Sequence, residues 1–365
     1  LLVKFSLPAI VSLLVNALYN IVDSIFVGRG VGELALAGVT VCFPIVTIFV
    51  AFIMLIGMGA TSLISIRLGE KKDEEAGKIM TNALVMFLIL GGLVTVLGLI
   101  FSRSILTFFG ASPGVMPYAL DYVRIIFMGS VFLAIGTGMN NFIRAEGQPR
   151  IAMNTMLIGT LSNIILDYVF IFIFHWGIKG AALATIISYG VTSALVLHHF
   201  IRGNSIINIR VENFRLDGPL IKKIISMGFP TFIIQVTSSI QQLILNRKLV
   251  QYGGDLALAV VGIIMSITSF LVMPAMGITQ GAQPIMGYNH GAGDFKRVKA
   301  TLGLSIIGST SVITLGLIVS KIWPAQLIRL FNDKSELVAM GVYAMDIFFK
   351  FIPLVGLQMI SSSYF

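Results

Sequence analysis

Charge is what this chain has least of. Of its 365 residues only 11% are Asp, Glu, Lys or Arg, against 56% hydrophobic, and the mean hydropathy is +0.95. Soluble domains carry about 25% charged residues, so an ordinary soluble fold is excluded. Cysteine is nearly absent: the single Cys42 rules out an internal disulfide and leaves the redox compartment open. The four histidines, His175, His198, His199 and His290, stand at the ends of apolar runs without metal-ligand spacing. Phosphate-binding glycine loops, nucleophile elbows and zinc motifs are all lacking. Neither an enzyme nor an ATP-driven pump is expected, and no cofactor. The first apolar run is too long for a cleavable leader, is preceded only by Lys4, and is not closed by a small-residue cleavage pattern.

What is present is a series of apolar runs long enough to span a bilayer, which takes about 20 residues. They lie at about Phe5–Val27, Leu34–Ile66, Ile79–Phe101, Tyr118–Phe142, Ile151–Phe174, Gly180–Ile201, Ile224–Leu249, Leu256–Met286, Leu302–Ile322 and Val338–Ile360. The pattern predicts an all-α polytopic membrane protein with ten helices. If the N-terminus is cytoplasmic, 15 of the 25 Lys and Arg fall on that side and 8 outside, leaving Arg124 and Lys350 within spans. The positive-inside rule favours that orientation. The formal charge of +9 is then a topology signal, and nucleic acid is not an expected partner. The bilayer is.

The chain also repeats itself. An offset of 222 residues lays Pro8 on Pro230, GELALA at 32–37 on GDLALA at 254–259, Gly59-Ala60 on Gly281-Ala282, and Gly69 on Gly291. One offset held over about sixty residues points to two homologous halves. Six helices per half would give both the same orientation, a parallel pseudo-symmetric pair of lobes. The expected division is an N-terminal lobe at 1–203, a cytoplasmic linker at 204–220 and a C-terminal lobe at 221–365. On the same offset Phe365 falls on Ile143, so the second lobe is expected to hold four of its six helices here.

Polar residues inside the runs carry the chemistry. A carboxylate within a span costs about 2.5–3.5 kcal/mol or more unless it is paired, wetted or neutralised. Asp23 is one, on a stripe with Asn16 and Asn20 at helical spacing. Asp167 is the other, one turn after Asn163 in the fifth run. At 1.5 Å per residue Asp23 lies about 7 Å, Asp167 about 10 Å and Thr185 about 8 Å from the outer ends of their helices. Two carboxylates, an amide and a hydroxyl at one level could hold a proton, or the same oxygens could hold Na⁺; the spacing leaves both open. Interhelical hydrogen bonding is the plainer reading for Asn16, Asn20 and Thr185. In the second half the matching stripe is Gln235, Ser239, Gln242 and Asn246, with Leu245 where the first half has Asp23. Asp346 with Lys350, and Asp121 with Arg124, are spaced to neutralise each other within one helix; alternatively Asp346 lines a cavity and meets cationic substrate.

The segments LPAIVSLLVNALYNIVDSIFVGRGVGELALAGV, RAEGQPR, NIILD and QGAQPIMGYNHGAGD together resemble the multidrug and toxic compound extrusion (MATE) family of cation-coupled antiporters. The resemblance spans essentially the whole chain. It implies a prokaryotic inner-membrane exporter, multi-pass and monomeric, that exchanges cationic or amphipathic drugs for inward H⁺ or Na⁺ by alternating access. It implies a cation site at Asp23, Asn163, Asp167 and Thr185, a helix bend at Pro8, and a polar cavity position at Asn16. Asn20, Gln242, Asn246 and Asp346 are further candidate cavity positions, read from the polar residues within the runs. The chain departs from the family pattern at Tyr168, where many members have proline, and in a seventh helix without the acid used by another branch. A lipid-linked precursor flippase of the same superfamily is the alternative; it would call for a strongly basic cavity. A non-transporting membrane protein is the third reading, and it leaves the two matched carboxylates without a purpose.

Overall fold

The computed structural model describes residues 1–202, 205–209, 214–331 and 335–364, with backbone alone at 239, 242–243, 246–247 and 249–259. Apart from turns and the segments 205–209 and 214–217, the described residues are helical. They run α1 (Leu2–Gly30), α2 (Glu33–Gly69), α3 (Asp73–Phe108), α4 (Met116–Met128), α5 (Ser130–Ala145), α6 (Pro149–Tyr168), a π-turn (Val169–Ile173), α7 (Gly177–Arg202), α8 (Gly218–Gly291), α9 (Phe295–Ile322), α10 (Pro324–Arg329), α11 (Ser335–Phe349) and α12 (Pro353–Tyr364). Among the described residues, eight spans are long and apolar enough to cross a membrane, and ten if each of two bent helix pairs is one span. The protein is a multi-pass membrane protein.

Local chemistry sets the helix ends. Asp73, Glu74 and Glu75 occupy the first turn of α3, where the helix dipole favours anions. Pro149 opens α6 after Gly147 at φ 90°. The Asp294 side chain accepts from the Arg297 N–H to cap α9. Two expected single spans are bent. α4 and α5 meet at Gly129 with an angle of 57°, and α11 and α12 meet at residues 350–352 with 44°. Gly129 plus the 222-residue offset is position 351, so the bend recurs at the same place in both halves. A turn was expected between the seventh and eighth runs, near 250–255. Instead α8 continues without interruption from Gly218 to Gly291 and contains both runs. Gly253 and Gly254 loosen a helix but keep their N–H groups, so they do not end one as proline would.

The chain forms two compact units, Val15–Phe232 on the one hand, and Leu1–Leu14 with Ile233–Phe365 on the other. The first holds two apolar clusters. One, near the 70–72 and 146–148 turns, includes Ile64, Met80, Phe87, Phe142 and Phe200. The other, near the 110–115 and 174–176 turns, includes Val27, Leu106, Val123, Ile171 and Ile178. The start of α8 closes on α2 at glycines: a side chain at Gly59 would strike the Ile224 carbonyl, and one at Gly228 the Leu55 carbonyl. In the second unit the start of α1 closes on the later part of α8 in the same way, with the Cβ position of Gly281 2.7 Å from Ser6 N and that of Gly277 2.8 Å from Ile10 N. The offset of 222 carries Gly59 to Gly281 and Gly228 back to Ser6, so one contact is the counterpart of the other.

Segment 205–209 is tied to the first unit. The Glu146 side chain is buried; Oε1 pairs with His199 Nε2, and Oε2 accepts from Ser205 Oγ at 2.6 Å and from the Ile206 N–H at 3.2 Å. Ile207 is fully buried in the cluster with Phe200 and Ile224. A buried carboxylate is tolerated because all of its donors are supplied.

Neither expected ion pair within a helix forms. Asp121 pairs with Lys179 of α7 at 3.4 Å, and Asp346 with Lys321 of α9 at 3.7 Å. Arg124 donates from Nε to Ser102 Oγ at 3.3 Å.

Candidate functional site

Asp23 on α1 and Asp167 on α6 are both buried, and their carboxyl groups are within electrostatic reach of one another. Neither has a basic partner among the described residues. Asp23 Oδ1 and both oxygens of Asp167 have no hydrogen-bond donor, and the Asn163 amide, one turn before Asp167 and likewise buried, has partners at neither its oxygen nor its nitrogen. Thr185 on α7 is buried, with its hydroxyl donating to the Ala181 carbonyl at 3.0 Å, which leaves the oxygen lone pairs as acceptors.

Aromatic packing brings the two acids together. Phe26, three residues after Asp23, meets Phe172 edge-on with centroids 5.4 Å apart and Tyr168 at 6.4 Å. Phe172 stands on the π-turn that begins two residues after Asp167. A side chain at Gly30 would strike Ile171, so the end of α1 can lie against that turn only because the residue is glycine. One turn beyond each acid, Val27 and Ile171 belong to the same apolar cluster. The π-turn widens the helix by one residue where Phe170, Phe174 and Trp176 stack, and such insertions recur at functional sites.

Three tyrosines absent from the expected set also face the pair. Tyr19, Tyr122 and Tyr189 are within electrostatic reach of Asp23, and the first two of Asp167 as well. Tyr19 is one turn before Asp23 and Tyr189 one turn after Thr185, so their spacing was available. Tyr122 arrives through the packing of α4 and had no such signal.

The remaining expected positions are placed as follows. Asn16 and Asn20 are exposed, with Asn20 Nδ2 donating to the Asn16 carbonyl at 2.8 Å; the stripe thus divides, Tyr19 and Asp23 turning inward and the asparagines outward. Asn20 and Ser24 line an open groove with Ile21, Ile25 and Arg29. Pro8 lies inside α1, which continues through it, and the Ser12 hydroxyl donates to the Pro8 carbonyl at 2.8 Å. Asp346 is largely exposed beside Lys321. The side chains of Gln242 and Asn246 lie outside the described residues.

A pair of carboxyls held this close and this dry repel each other unless a proton or a metal cation lies between them. The Asn163 amide and the Thr185 oxygen are neutral ligands of the kind a hard cation takes. The same architecture is found in known proteins. Multidrug export protein MepA of Staphylococcus haemolyticus (strain JCSC1435) is 27% identical over 356 residues, covering 98% of this chain and 78% of the relative. MepA of Staphylococcus aureus (strain MSSA476) is 25% identical over 363 residues, with the same coverage. Among solved structures, one described as MATE in the bent conformation superposes with a TM-score of 0.93 at 26% identity, covering 100% of this chain and 81% of that one. A MOP superfamily transporter from Pyrococcus furiosus, whose binding pocket is described as reversed in polarity, gives the same figures. The profile of the MatE family matches residues 8–169 and again 230–365. With matches over most of its length and a fold shared throughout, the chain belongs to the MatE family.

Proposed function

We propose that the protein is a secondary active multidrug exporter, exchanging cationic or amphipathic drugs for inward H⁺ or Na⁺ by alternating access. One observation carries the reading: two buried carboxyls, Asp23 and Asp167, come together with no basic partner among the described residues, one turn from an amide whose polar atoms are unused. Asp23, Asn163, Asp167 and Thr185 form the coupling site, alternately loaded from outside and emptied toward the cytoplasm. Asn16, Asn20, Gln242, Asn246 and Asp346 are the drug-contacting positions, and Pro8 gives α1 the freedom to bend as the cation binds. The working unit is one chain of two lobes, 1–203 and 221–365, joined at 204–220, with a cytoplasmic N-terminus. The family matches beginning at residues 8 and 230, the equivalent glycine contacts and the recurring bend support the two-lobe reading. The multidrug export activity named for the staphylococcal relatives supports the substrate class.

Dye efflux from proteoliposomes under an imposed Na⁺ or pH gradient tests this. One of the two gradients is expected to drive ethidium export, and Asp23→Asn or Asp167→Asn to lower it by at least tenfold while the protein still inserts. Undiminished export by Asp23→Asn would overturn the mechanism. Indifference to both gradients, with movement of a lipid-linked precursor instead, would identify the flippase.

A further inference from the structure

Arg124 stands apart from the exchange chemistry and goes beyond the proposed function. It is eight residues into α4, a span segment that begins at Met116, so its Cα lies about 12 Å below the helix end. A guanidinium at that depth is costly unless it meets a counter-charge or reaches the interface. The carboxylate one turn earlier, Asp121, is taken by Lys179. No acidic side chain among the described residues pairs with Arg124, which is exposed and whose one described polar contact is Ser102 Oγ. Ser102 donates its own proton to the Leu99 carbonyl at 3.2 Å, so it accepts from Nε and leaves both terminal nitrogens of Arg124 free. Arg103, the next residue on α3, is also exposed and also without an acidic partner among the described residues. Beneath them the surface is apolar: Met128, one turn deeper on the Arg124 face, is 57% exposed, and Leu97 and Phe101 on α3 are 50% and 52% exposed.

We propose that Arg124, held in place by Ser102 and assisted by Arg103, binds the phosphate of an anionic phospholipid. The leaflet is the one at the end of the bundle that carries the 109–115 turn. An arginine stem lies along apolar surface while its head reaches up toward the interface. The two free terminal nitrogens match a phosphate in the planar, bidentate manner that lysine cannot copy. Arg103, next in sequence to the Ser102 that Arg124 contacts, adds a second exposed cation on α3. Acyl chains then run over Met128, Leu97 and Phe101, which need no polar partner.

The purified protein, reconstituted into vesicles of phosphatidylglycerol and phosphatidylcholine and re-extracted in mild detergent, is assayed by native mass spectrometry for retained phospholipid. The wild type is expected to keep phosphatidylglycerol in preference to phosphatidylcholine. Arg124→Gln is expected to lower phosphatidylglycerol retention about fivefold, the equivalent of about 1 kcal/mol per arginine near a charged membrane surface. Arg124→Lys should fall between the two. Arg297→Gln, at an exposed cation beside Asp294, should change nothing. If Arg124→Gln does not insert, Arg103→Gln carries the test, with about a twofold loss expected. Equal retention of the two lipids by the wild type, unchanged retention in Arg124→Gln or in its Arg103→Gln substitute, or an equal loss in Arg297→Gln, each overturns the site.

Discussion

At Asn163 the amide is buried while both of its polar atoms lack partners, a condition that ordinarily costs about 1–3 kcal/mol. Asn163→Ala is therefore expected to leave thermal stability unchanged or slightly raised in the absence of the coupling ion, yet to weaken ion-driven dye export about tenfold. A melting curve and an efflux assay on the same preparation check the two halves. Phe26 predicts the opposite combination. Its rings against Tyr168 and Phe172 are worth about 0.5–1.5 kcal/mol each beyond area burial, and Phe26→Ala should both lower the melting temperature and slow export, because Asp23 is no longer pressed toward Asp167. The acids, Asn163 and Thr185 were legible in the sequence because polar groups in a greasy run stand out by their cost. Tyr19 and Tyr189 shared their helix faces, but a tyrosine carries an apolar body and draws no such attention. Phe26 looked like any other membrane phenylalanine until the π-turn was seen.

Among the elements, the glycine contacts between helix starts and their neighbours leave no space for a side chain. Gly59→Leu and Gly281→Leu are each expected to abolish stable insertion, measured as monodisperse protein after extraction, whereas the same change at Gly303, which meets nothing nearby, should be tolerated. Segment 205–209 offers a second test. Glu146→Ala removes the acceptor shared by His199, Ser205 and Ile206, and proteolytic cleavage between residues 202 and 217 should quicken by tenfold or more. Glu70, held below the usual carboxylate range by Lys72 and Arg67 on an exposed turn, should be replaceable with no such effect. Span positions were readable from hydropathy, which counts apolar residues in a row. The bends at Gly129 and residue 351, the continuity of α8 and the ion pairs between helices were not, since each depends on what a neighbouring helix presents. Glu146 lies in RAEGQPR, where a solvated turn was the natural expectation, and only the returning chain makes it a buried anchor.

Over the whole molecule, the repeat visible in the sequence is not kept in its chemistry, with Leu245 where the 222-residue offset would place a second Asp23. In the exchange we propose, one carboxyl pair sets the charge that moves. Each net charge crossing 100 mV is worth about 2.3 kcal/mol. If one monovalent cation enters per cycle, export of a neutral drug should respond to membrane voltage and export of a singly charged dye should not; voltage-clamped vesicles with the two substrates distinguish these outcomes. The offset of 222 residues was legible over about sixty residues because the repeat preserved prolines and glycines there. What it did not reveal is that residues 1–14 belong with 233–365, and 218–232 with the first unit. That exchange bears on how the polypeptide is made. Ser6 leaves the ribosome about 270 residues before Gly281, its packing partner, which at about 5–20 residues per second is a wait of about 15–50 s. The unit of Leu1–Leu14 and Ile233–Phe365 cannot be finished until the end of synthesis, and a cut within 204–220 leaves each unit short of one segment, so two such fragments should each be degraded alone and accumulate only when produced together.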